Sequence, residues 1–117
     1  KSRYTYGLME QTDVFTVSVP RSGELKKELG FCGSRSGRDV NKEQESGLTR
    51  LTARAGAADG AAECGSFFEC RILQKQLLDL STLNAETRAK CYGANQAFPD
   101  GDPHVLYVGE VLAAYER

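Results

Sequence analysis

Residues 105–115, with the sequence VLYVGEVLAAY, are the most strand-like segment of this chain. Apart from Glu110 the segment is apolar on both faces, which is typical of a strand covered on both sides. Gly109 interrupts the apolar run, and a glycine inside a strand marks a place where a neighbouring group or a ligand approaches the backbone. We therefore predict a strand in the middle of a barrel-like sheet, with Glu110 as a structural carboxylate or as part of a pocket wall.

Three further segments predict strands or their connections. In residues 15–19, FTVSV, apolar side chains alternate with Thr and Ser, and Pro20 ends the run. Residues 66–77 alternate in a similar way, although apolar side chains on the second face indicate that this face is also partly covered. Residues 48–53 predict a short strand, and the small-residue run at 55–62 predicts a flexible loop.

Helices are predicted between these strands, each with a polar residue at its start. The expected caps are Ser2 for a helix over residues 3–11, Ser22 for a helix that ends near Gly30 or Gly33, and Asn84 for a helix over residues 83–92. Helices inserted between antiparallel strands favour a mainly β, α+β fold over a doubly wound sheet. The sequence has no G-x-G-x-x-G motif, so a Rossmann dinucleotide site has no support.

The composition limits the classes of partner. A chain of 117 residues forms one domain, and its 15 basic and 16 acidic side chains nearly cancel. That balance does not favour binding to nucleic acid or to an anionic membrane surface. No apolar run in the sequence reaches the roughly 20 residues that span a bilayer. We therefore predict a soluble cytoplasmic protein that binds neither nucleic acid nor membrane.

The cysteines do not form a metal-binding pattern. Cys32, Cys64, Cys70 and Cys91 show no C-x-x-C spacing, and His104 is the only histidine. Four cysteines are too few for a disulfide scaffold in a chain of this length, so we predict reduced thiols and no metal site. Cys70 lies in a strand pattern and is expected in the core, whereas Cys32 ends a helix beside a candidate site.

That candidate site is the segment 31–42, FCGSRSGRDVNK, which concentrates polar donors and positive charge beside two glycines. Glycine lets backbone amides approach a ligand closely, and hydroxyl and cationic side chains suit an anionic, phosphate-bearing partner. The candidate ligand-binding residues are Ser34, Arg35, Ser36, Gly37, Arg38 and Lys42. The alternative is a solvated turn whose charges face water.

Arg3 and Thr5 form a second candidate site at the start of the first predicted helix. In the first turn of a helix, a guanidinium, a hydroxyl, the backbone amides and the helix dipole converge on one anion. Ser2 adds a further hydroxyl donor. The alternative is a helix cap with a surface arginine.

Four segments occur in the order of a known family: KSRYTY at 1–6, FTVSVP at 15–20, the 31–42 loop, and DPHVLYVGEV at 102–111. Together they resemble the flavin reductase-like, FMN-binding split-barrel family, specifically its flavoredoxin-like branch. The resemblance implies a partial split β-barrel in a single domain over residues 1–117. Members of the family normally carry an additional segment before the first motif. We therefore expect either a fragment of a longer protein or an N-terminally reduced version of the fold.

The resemblance also implies a cofactor and assigns residues to it. It implies FMN, with the flavin phosphate bound by Ser2, Arg3 and Thr5. The loop would line the flavin pocket through Ser34, Ser36, Gly37, Arg38 and Lys42. His104 resembles a histidine on the nicotinamide and substrate side of the pocket, although a satisfied histidine at a strand start is the alternative. Because the flavin carries the redox chemistry in this family, no catalytic nucleophile or general base is predicted.

Three functions are compatible with these motifs. The leading one is a flavin reductase-like oxidoreductase that passes hydride from NAD(P)H to FMN and then reduces an unidentified acceptor. The second is a flavoredoxin-like electron carrier with little nicotinamide activity, and the third is a remnant or interaction module that binds no flavin. A barrel that lacks strands exposes unpaired edges, so we predict a homodimer on that ground as well as from the resemblance.

Overall fold

Helices alternate with antiparallel strands in the part of the chain that the computed structural model describes, residues 3–93 and 101–117. The helices are α1 (Tyr4–Met9), α2 (Lys26–Ser34), α3 (Lys42–Ser46) and α4 (Ala85–Cys91), with a 3-10 turn at Leu80–Thr82. The strands are β1 (Val14–Val19), β2 (Arg50–Leu51), β3 (Gly60–Ala61), β4 (Ser66–Leu77) and β5 (Val105–Glu116). This arrangement confirms the predicted mainly antiparallel α+β fold, and within the described residues the sheets do not close into a barrel.

The main sheet has the order β1-β4-β5, so β4 is its central strand. All of β1 pairs with residues 66–71, and β5 pairs along the whole length of β4. The predicted bounds of β4 are therefore confirmed. The predicted mid-barrel position of β5 is wrong for the described sheet, in which β5 lies at one edge. The expected cover on both faces of β5 is also missing, because Leu106, Val108 and Leu112 are 41% to 46% exposed. Apolar composition alone therefore did not place this strand inside a sheet.

Gly109 leaves room for the Phe15 ring of β1, which reaches across β4 to β5. A Cβ atom added at Gly109 would lie 2.7 Å from Cζ of Phe15 and 3.1 Å from Cβ of Cys70. The predicted close approach to this glycine is confirmed, and the neighbour is the Phe15 ring. Cys70 itself is buried, as predicted.

One face of the main sheet is covered by the segment 54–61, which includes β3. Beneath this segment the side chains of Phe67 and Glu69 are fully buried, and the Phe67 ring stacks on Tyr115 with 5.3 Å between ring centroids. Two hydroxyls of β1 also reach the segment: Thr16 donates to the Ala58 carbonyl, and Ser18 Oγ accepts from the Ala61 N–H. The small-residue run is therefore held against the sheet.

The buried Glu69 carboxylate is the main anchor of that segment. It accepts hydrogen bonds from the N–H groups of Arg54, Ala55 and Ala57 and from the Tyr115 hydroxyl, at 2.6 to 3.4 Å. Burial alone would raise the pKa of this carboxyl, but these four donors outweigh it and lower the pKa to about 2. A buried charge is thus compensated entirely by hydrogen bonds.

The opposite face of the sheet carries exposed apolar side chains. Val17 pairs with Phe68, and Cys70 pairs with Val111, so the side chains of each pair point to the same face. Val17, Val19, Phe68 and Val111 are between 38% and 54% exposed. A contiguous exposed apolar surface often marks a site of contact with another molecule.

Two predicted helix starts have different outcomes. Asn84 caps α4 as predicted, since its side chain accepts from the Thr87 N–H at 2.8 Å. The predicted cap at Ser22 is wrong, because α2 begins only at Lys26, after Leu25. Residues 21–24 form a turn closed by the Glu24 N–H and the Arg21 carbonyl. Gly23 and then Leu25 adopt positive φ, so the chain cannot enter a helix before Lys26.

The predicted strand at 48–53 shrinks to the two residues of β2. On either side of β2, backbone N–H groups bond to carboxylates instead of to a strand: Thr49 N–H to Glu63, and Ala53 N–H to Asp59. Side-chain acceptors therefore end the ladder. In the described part of the chain, none of the helices has the length and apolar character needed to cross a membrane.

Candidate functional site

The first candidate site lies at the start of α1. Arg3 is the N-cap residue, with an extended backbone, and its carbonyl accepts from the Tyr6 N–H at 3.2 Å. Thr5 lies in the first turn, as predicted, whereas Arg3 precedes it. The side chains of both residues are exposed to solvent. Ser2, the third residue predicted here, lies outside the described residues.

The second candidate site, residues 36–40, is a turn organised by Ser36. The carbonyl of Ser36 accepts from the N–H groups of Asp39 and Val40 at 3.0 and 3.2 Å, and its Oγ accepts from the Arg38 N–H at 3.2 Å. Because Oγ acts as an acceptor within the turn, the hydroxyl proton of Ser36 is left to donate to another group. Arg38 is exposed at the tip of this turn.

Tyr4 joins the two sites. A Cβ atom added at Gly37 would lie 2.7 Å from Cδ1 and from Cε1 of the Tyr4 ring, so only glycine leaves room for this contact. The Arg38 guanidinium lies over the same ring, 5.8 Å from its centroid. The structure therefore places the Arg3–Thr5 motif and the Gly37–Arg38 motif side by side, although 33 residues separate Tyr4 from Gly37 in the sequence.

Two other predicted residues of the loop are engaged elsewhere. Ser34 Oγ donates to the Phe31 carbonyl at 3.2 Å, and Lys42 Nζ donates to the Cys32 carbonyl at 2.6 Å. Both carbonyls belong to the last turns of α2, and the Phe31 carbonyl also accepts from the Arg35 N–H at 3.1 Å. Lys42 also lines a cavity of about 430 Å³ between α2, α3 and the β2–β3 hairpin.

His104 lies at a third place, immediately before β5. Its Nδ1 is 2.7 Å from the Tyr92 hydroxyl, and the two rings meet edge to face with 5.4 Å between centroids. Tyr92 and Pro103 line a cavity of about 820 Å³ whose other walls include leucine and alanine side chains, the cationic Arg88 and the anionic Asp79. The histidine is thus oriented by a phenol at the edge of an apolar cavity.

Glu110 is a structural carboxylate. It forms an ion pair with Arg71, which lies directly opposite on β4, and both side chains are about half exposed. This is a cross-strand pair on the sheet surface. Of the two roles predicted for Glu110, this ion pair supports the structural one.

The four cysteines are all unpaired thiols.

Sequence reasoning missed two residues that organise these places, Tyr4 and Tyr92. The sequence places Tyr4 in the first predicted helix and Tyr92 at the end of the last one, and neither is predicted as a site residue. The signal for Tyr4 was present, because Gly37 predicts a close approach to the backbone. The approaching group could not be identified from sequence, since it comes from a distant segment.

Tyr4 brings segments from both candidate sites together: Arg3 and Thr5 are its chain neighbours, and its ring contacts Gly37 and Arg38. We call Arg3, Thr5, Ser36 and Arg38 the residues gathered by Tyr4, and their side chains are of the types that bind a phosphate. They offer two guanidinium groups, from Arg3 and Arg38, and two hydroxyls, from Thr5 and Ser36. Arginine binds phosphate through paired charge-assisted hydrogen bonds, and hydroxyls complete the coordination of its oxygens. The donor set therefore suits the phosphate end of a nucleotide-like cofactor.

Comparison with known proteins identifies the family of the chain. The family described as flavin reductase like domain matches residues 1–117. An uncharacterized protein from Archaeoglobus fulgidus is 31% identical over 117 residues, a match that covers 99% of this chain and 64% of the relative.

Two solved structures share the fold over almost the whole chain. A flavoredoxin from Methanosarcina acetivorans superposes with a TM-score of 0.67 at 27% identity, covering 100% of this chain and 49% of that one. An FMN-binding protein from Thermus thermophilus gives a TM-score of 0.66 at 22% identity, covering 98% and 49%. The chain thus spans about half the length of these structures. On the match over its full length, it belongs to the flavin reductase-like family.

Proposed function

We propose that this protein binds FMN and acts as an oxidoreductase in which hydride passes from NAD(P)H to the flavin and then to an acceptor that remains to be identified. The observation that carries the proposal is the contact of Tyr4 with Gly37 and Arg38, because it gathers two separate anion-binding motifs into one place. The names of the matched structures, an FMN-binding protein and a flavoredoxin, support flavin as the ligand.

In this proposal the gathered residues bind the flavin phosphate. Arg3 and Arg38 neutralise its charge, and the hydroxyls of Thr5 and Ser36 donate to its oxygens. The turn around Ser36 is already closed by its own hydrogen bonds, so little conformational entropy is lost when the phosphate binds. Ser2 is a further donor. Lys42 ties the end of the loop to α2, and Ser34 closes the last turn of α2 from which the loop begins.

Bound flavin would supply the redox chemistry, accepting two electrons and a proton as hydride and releasing them to the acceptor. The residues of this chain would then bind, orient and shield. We place the nicotinamide side of the pocket at His104, whose ring is oriented by Tyr92. The adjoining cavity has leucine walls and carries one cation, Arg88, and one carboxylate, Asp79, so it is suited to a mainly apolar molecule.

A flavoredoxin-like electron carrier is the second candidate, favoured by the fold shared with the Methanosarcina protein at 27% identity. An electron carrier would bind FMN as tightly but would exchange electrons with a protein partner. The two functions differ in their use of nicotinamide. We therefore test them with one assay, the oxidation of NADH and NADPH by pure protein in the presence of FMN.

The assay has distinct outcomes. Turnover above that of free FMN, lost in Arg38→Ala and kept in Lys90→Ala, supports the reductase. Lys90 is a suitable control because it is an exposed cation on α4, outside the gathered residues. Saturable FMN binding without turnover supports the carrier. A protein that neither binds FMN nor turns over would leave the third interpretation, an interaction module.

Two further properties belong to this proposal. The exposed apolar face around Val17, Phe68 and Val111, and the β5 edge, favour a homodimer, because a second copy would cover them. Light scattering at micromolar concentration would contradict the dimer if it gave the mass of one chain. The four unpaired thiols favour the cytoplasm as the compartment.

A further inference from the structure

We propose that Tyr4 is the residue that positions the Ser36–Val40 turn against α1 and aims Arg38 at the ligand. The inference rests on the proposed function for its consequence in FMN binding. The positioning itself is a property of the flavin-free protein.

The contact with Gly37 supplies the geometric argument. Two ring carbons of Tyr4 lie 2.7 Å from the point that a side chain at residue 37 would occupy. The ring therefore sits directly on the loop backbone. Because the ring fills the space that a side chain at residue 37 would occupy, rotation of either segment would break this contact.

The placement of Arg38 supplies the chemical argument. Its guanidinium lies over the Tyr4 ring at 5.8 Å from the centroid, within the range of a cation–π interaction. An arginine on an exposed turn loses much rotamer freedom when it binds an anion. An aromatic platform removes part of that freedom in advance, so Tyr4 lowers the entropic cost of phosphate binding.

The exposure of Tyr4 separates this role from a core role. The side chain is 40% exposed and adjoins the exposed Arg3 and Thr5, so it is not a part of the sheet core. Leu8 is a matched control, because it lies on the same short helix and is 48% exposed. The three atoms nearest to a Cβ at Gly37 all belong to Tyr4, so Leu8→Ala shortens an exposed side chain of α1 and removes none of them.

The test compares Tyr4→Ala, Tyr4→Phe and Leu8→Ala by two measurements. The first is amide hydrogen exchange of residues 38–40 in the flavin-free protein. The second is the dissociation constant for FMN, from flavin fluorescence. Tyr4→Ala should speed exchange at least tenfold and weaken FMN binding at least tenfold. Tyr4→Phe keeps the ring and should leave both unchanged, and so should Leu8→Ala.

The outcomes separate the inference from the proposed function. Exchange in Tyr4→Ala that matches the wild type overturns the positioning role, whether or not FMN binds. Faster exchange with unchanged FMN affinity also overturns it, because the loop position would not matter to the ligand. If Tyr4→Ala speeds exchange and the wild-type protein binds no FMN, the result supports the positioning role of Tyr4 and refutes the proposed flavin function.

A second variant keeps the inference testable if Tyr4→Ala does not fold. Gly37→Ala should displace the Tyr4 ring and speed exchange of residues 38–40. Gly30→Ala is its control, since a Cβ at Gly30 meets no atom within 4 Å. Equal exchange in Gly37→Ala and Gly30→Ala would overturn the proposed contact.

Discussion

Replacing Gly109 with alanine tests the packing that joins the three strands of the main sheet. The new Cβ would lie 2.7 and 2.9 Å from two carbons of the Phe15 ring and 3.1 Å from Cβ of Cys70. Carbon atoms pack best at about 3.5–4.0 Å, so the ring must move by about 1 Å. The Cys70 contact is harder to relieve, because its Cβ is fixed to the backbone of the central strand.

The magnitude follows from two opposing effects. Forcing a methyl group into a packed site costs about 1–3 kcal/mol. Replacing glycine also restricts the unfolded chain, which stabilises the fold by about 0.4–1 kcal/mol. We expect Gly109→Ala to lower the free energy of unfolding by about 1–2 kcal/mol.

Urea unfolding followed by circular dichroism measures this change, with an unchanged denaturant slope as evidence that only stability differs. Gly30→Ala is the matched control and should stabilise by about 0.5–1 kcal/mol, because Gly30 lies inside α2 with open space around it. In a Phe15→Val background, Gly109→Ala should cost less, since the ring is gone. If Gly109→Ala is as stable as the wild type when Phe15 is unchanged, the packing described here is refuted.

Three more predictions follow from the same structure. The pKa of the Glu69 carboxyl is held at about 2, below its ordinary value of 4.5, so the stability that depends on its ionised form is complete above pH 4.5 and is lost as the pH falls towards 2. Glu69→Gln should therefore unfold at lower urea concentration than the wild type at neutral pH. Between pH 4.5 and pH 2 it should lose less stability than the wild type. Equal dependence of stability on pH in the two proteins would contradict the role of the Glu69 carboxylate in holding segment 54–61. Asn84→Ala should destabilise by about 1 kcal/mol through loss of the α4 cap, whereas Asn84→Asp keeps an acceptor and should cost little in the same urea assay. In a thiol titration the exposed Cys91 should react first, whereas the buried Cys64 and Cys70 should react only on unfolding. Burial also raises the pKa of the Cys64 thiol, which slows its reaction further. Rapid labelling of all four thiols in the native protein would contradict the described core.

Local patterns predicted much of the fold because the responsible interactions are local. The alternation of residues 66–77 specified β4, and the Asn84 side chain specified the start of α4 through a bond three residues away. The start of α2 was mispredicted because Leu25 adopts a left-handed conformation that its residue type does not favour. The length of β2 depended on acceptors from Asp59 and Glu63, which lie beyond the strand itself.

The sequence predicted two separate candidate motifs, but it did not predict that they lie next to each other in the fold. Residue types predicted Arg3 and Arg38 as candidate anion binders, since charge and donor geometry are properties of single side chains. Their proximity depends on the contact of Tyr4 with Gly37, a long-range contact that no periodicity encodes. Likewise, Lys42 offers the right charge, but its ammonium bonds to the Cys32 carbonyl.

Titration of the protein with FMN, followed by flavin fluorescence, tests the central claim most directly. The titration is repeated with Arg3→Ala, Arg38→Ala and the control Lys90→Ala. Removing one charge-assisted bond to a phosphate costs about 1.5–3 kcal/mol, so each site variant should weaken binding by roughly tenfold or more. We expect saturable binding that both site variants weaken and that Lys90→Ala leaves unchanged. Absence of saturable binding, or equal affinity in all four proteins, would contradict the assignment of the flavin phosphate to the residues gathered by Tyr4.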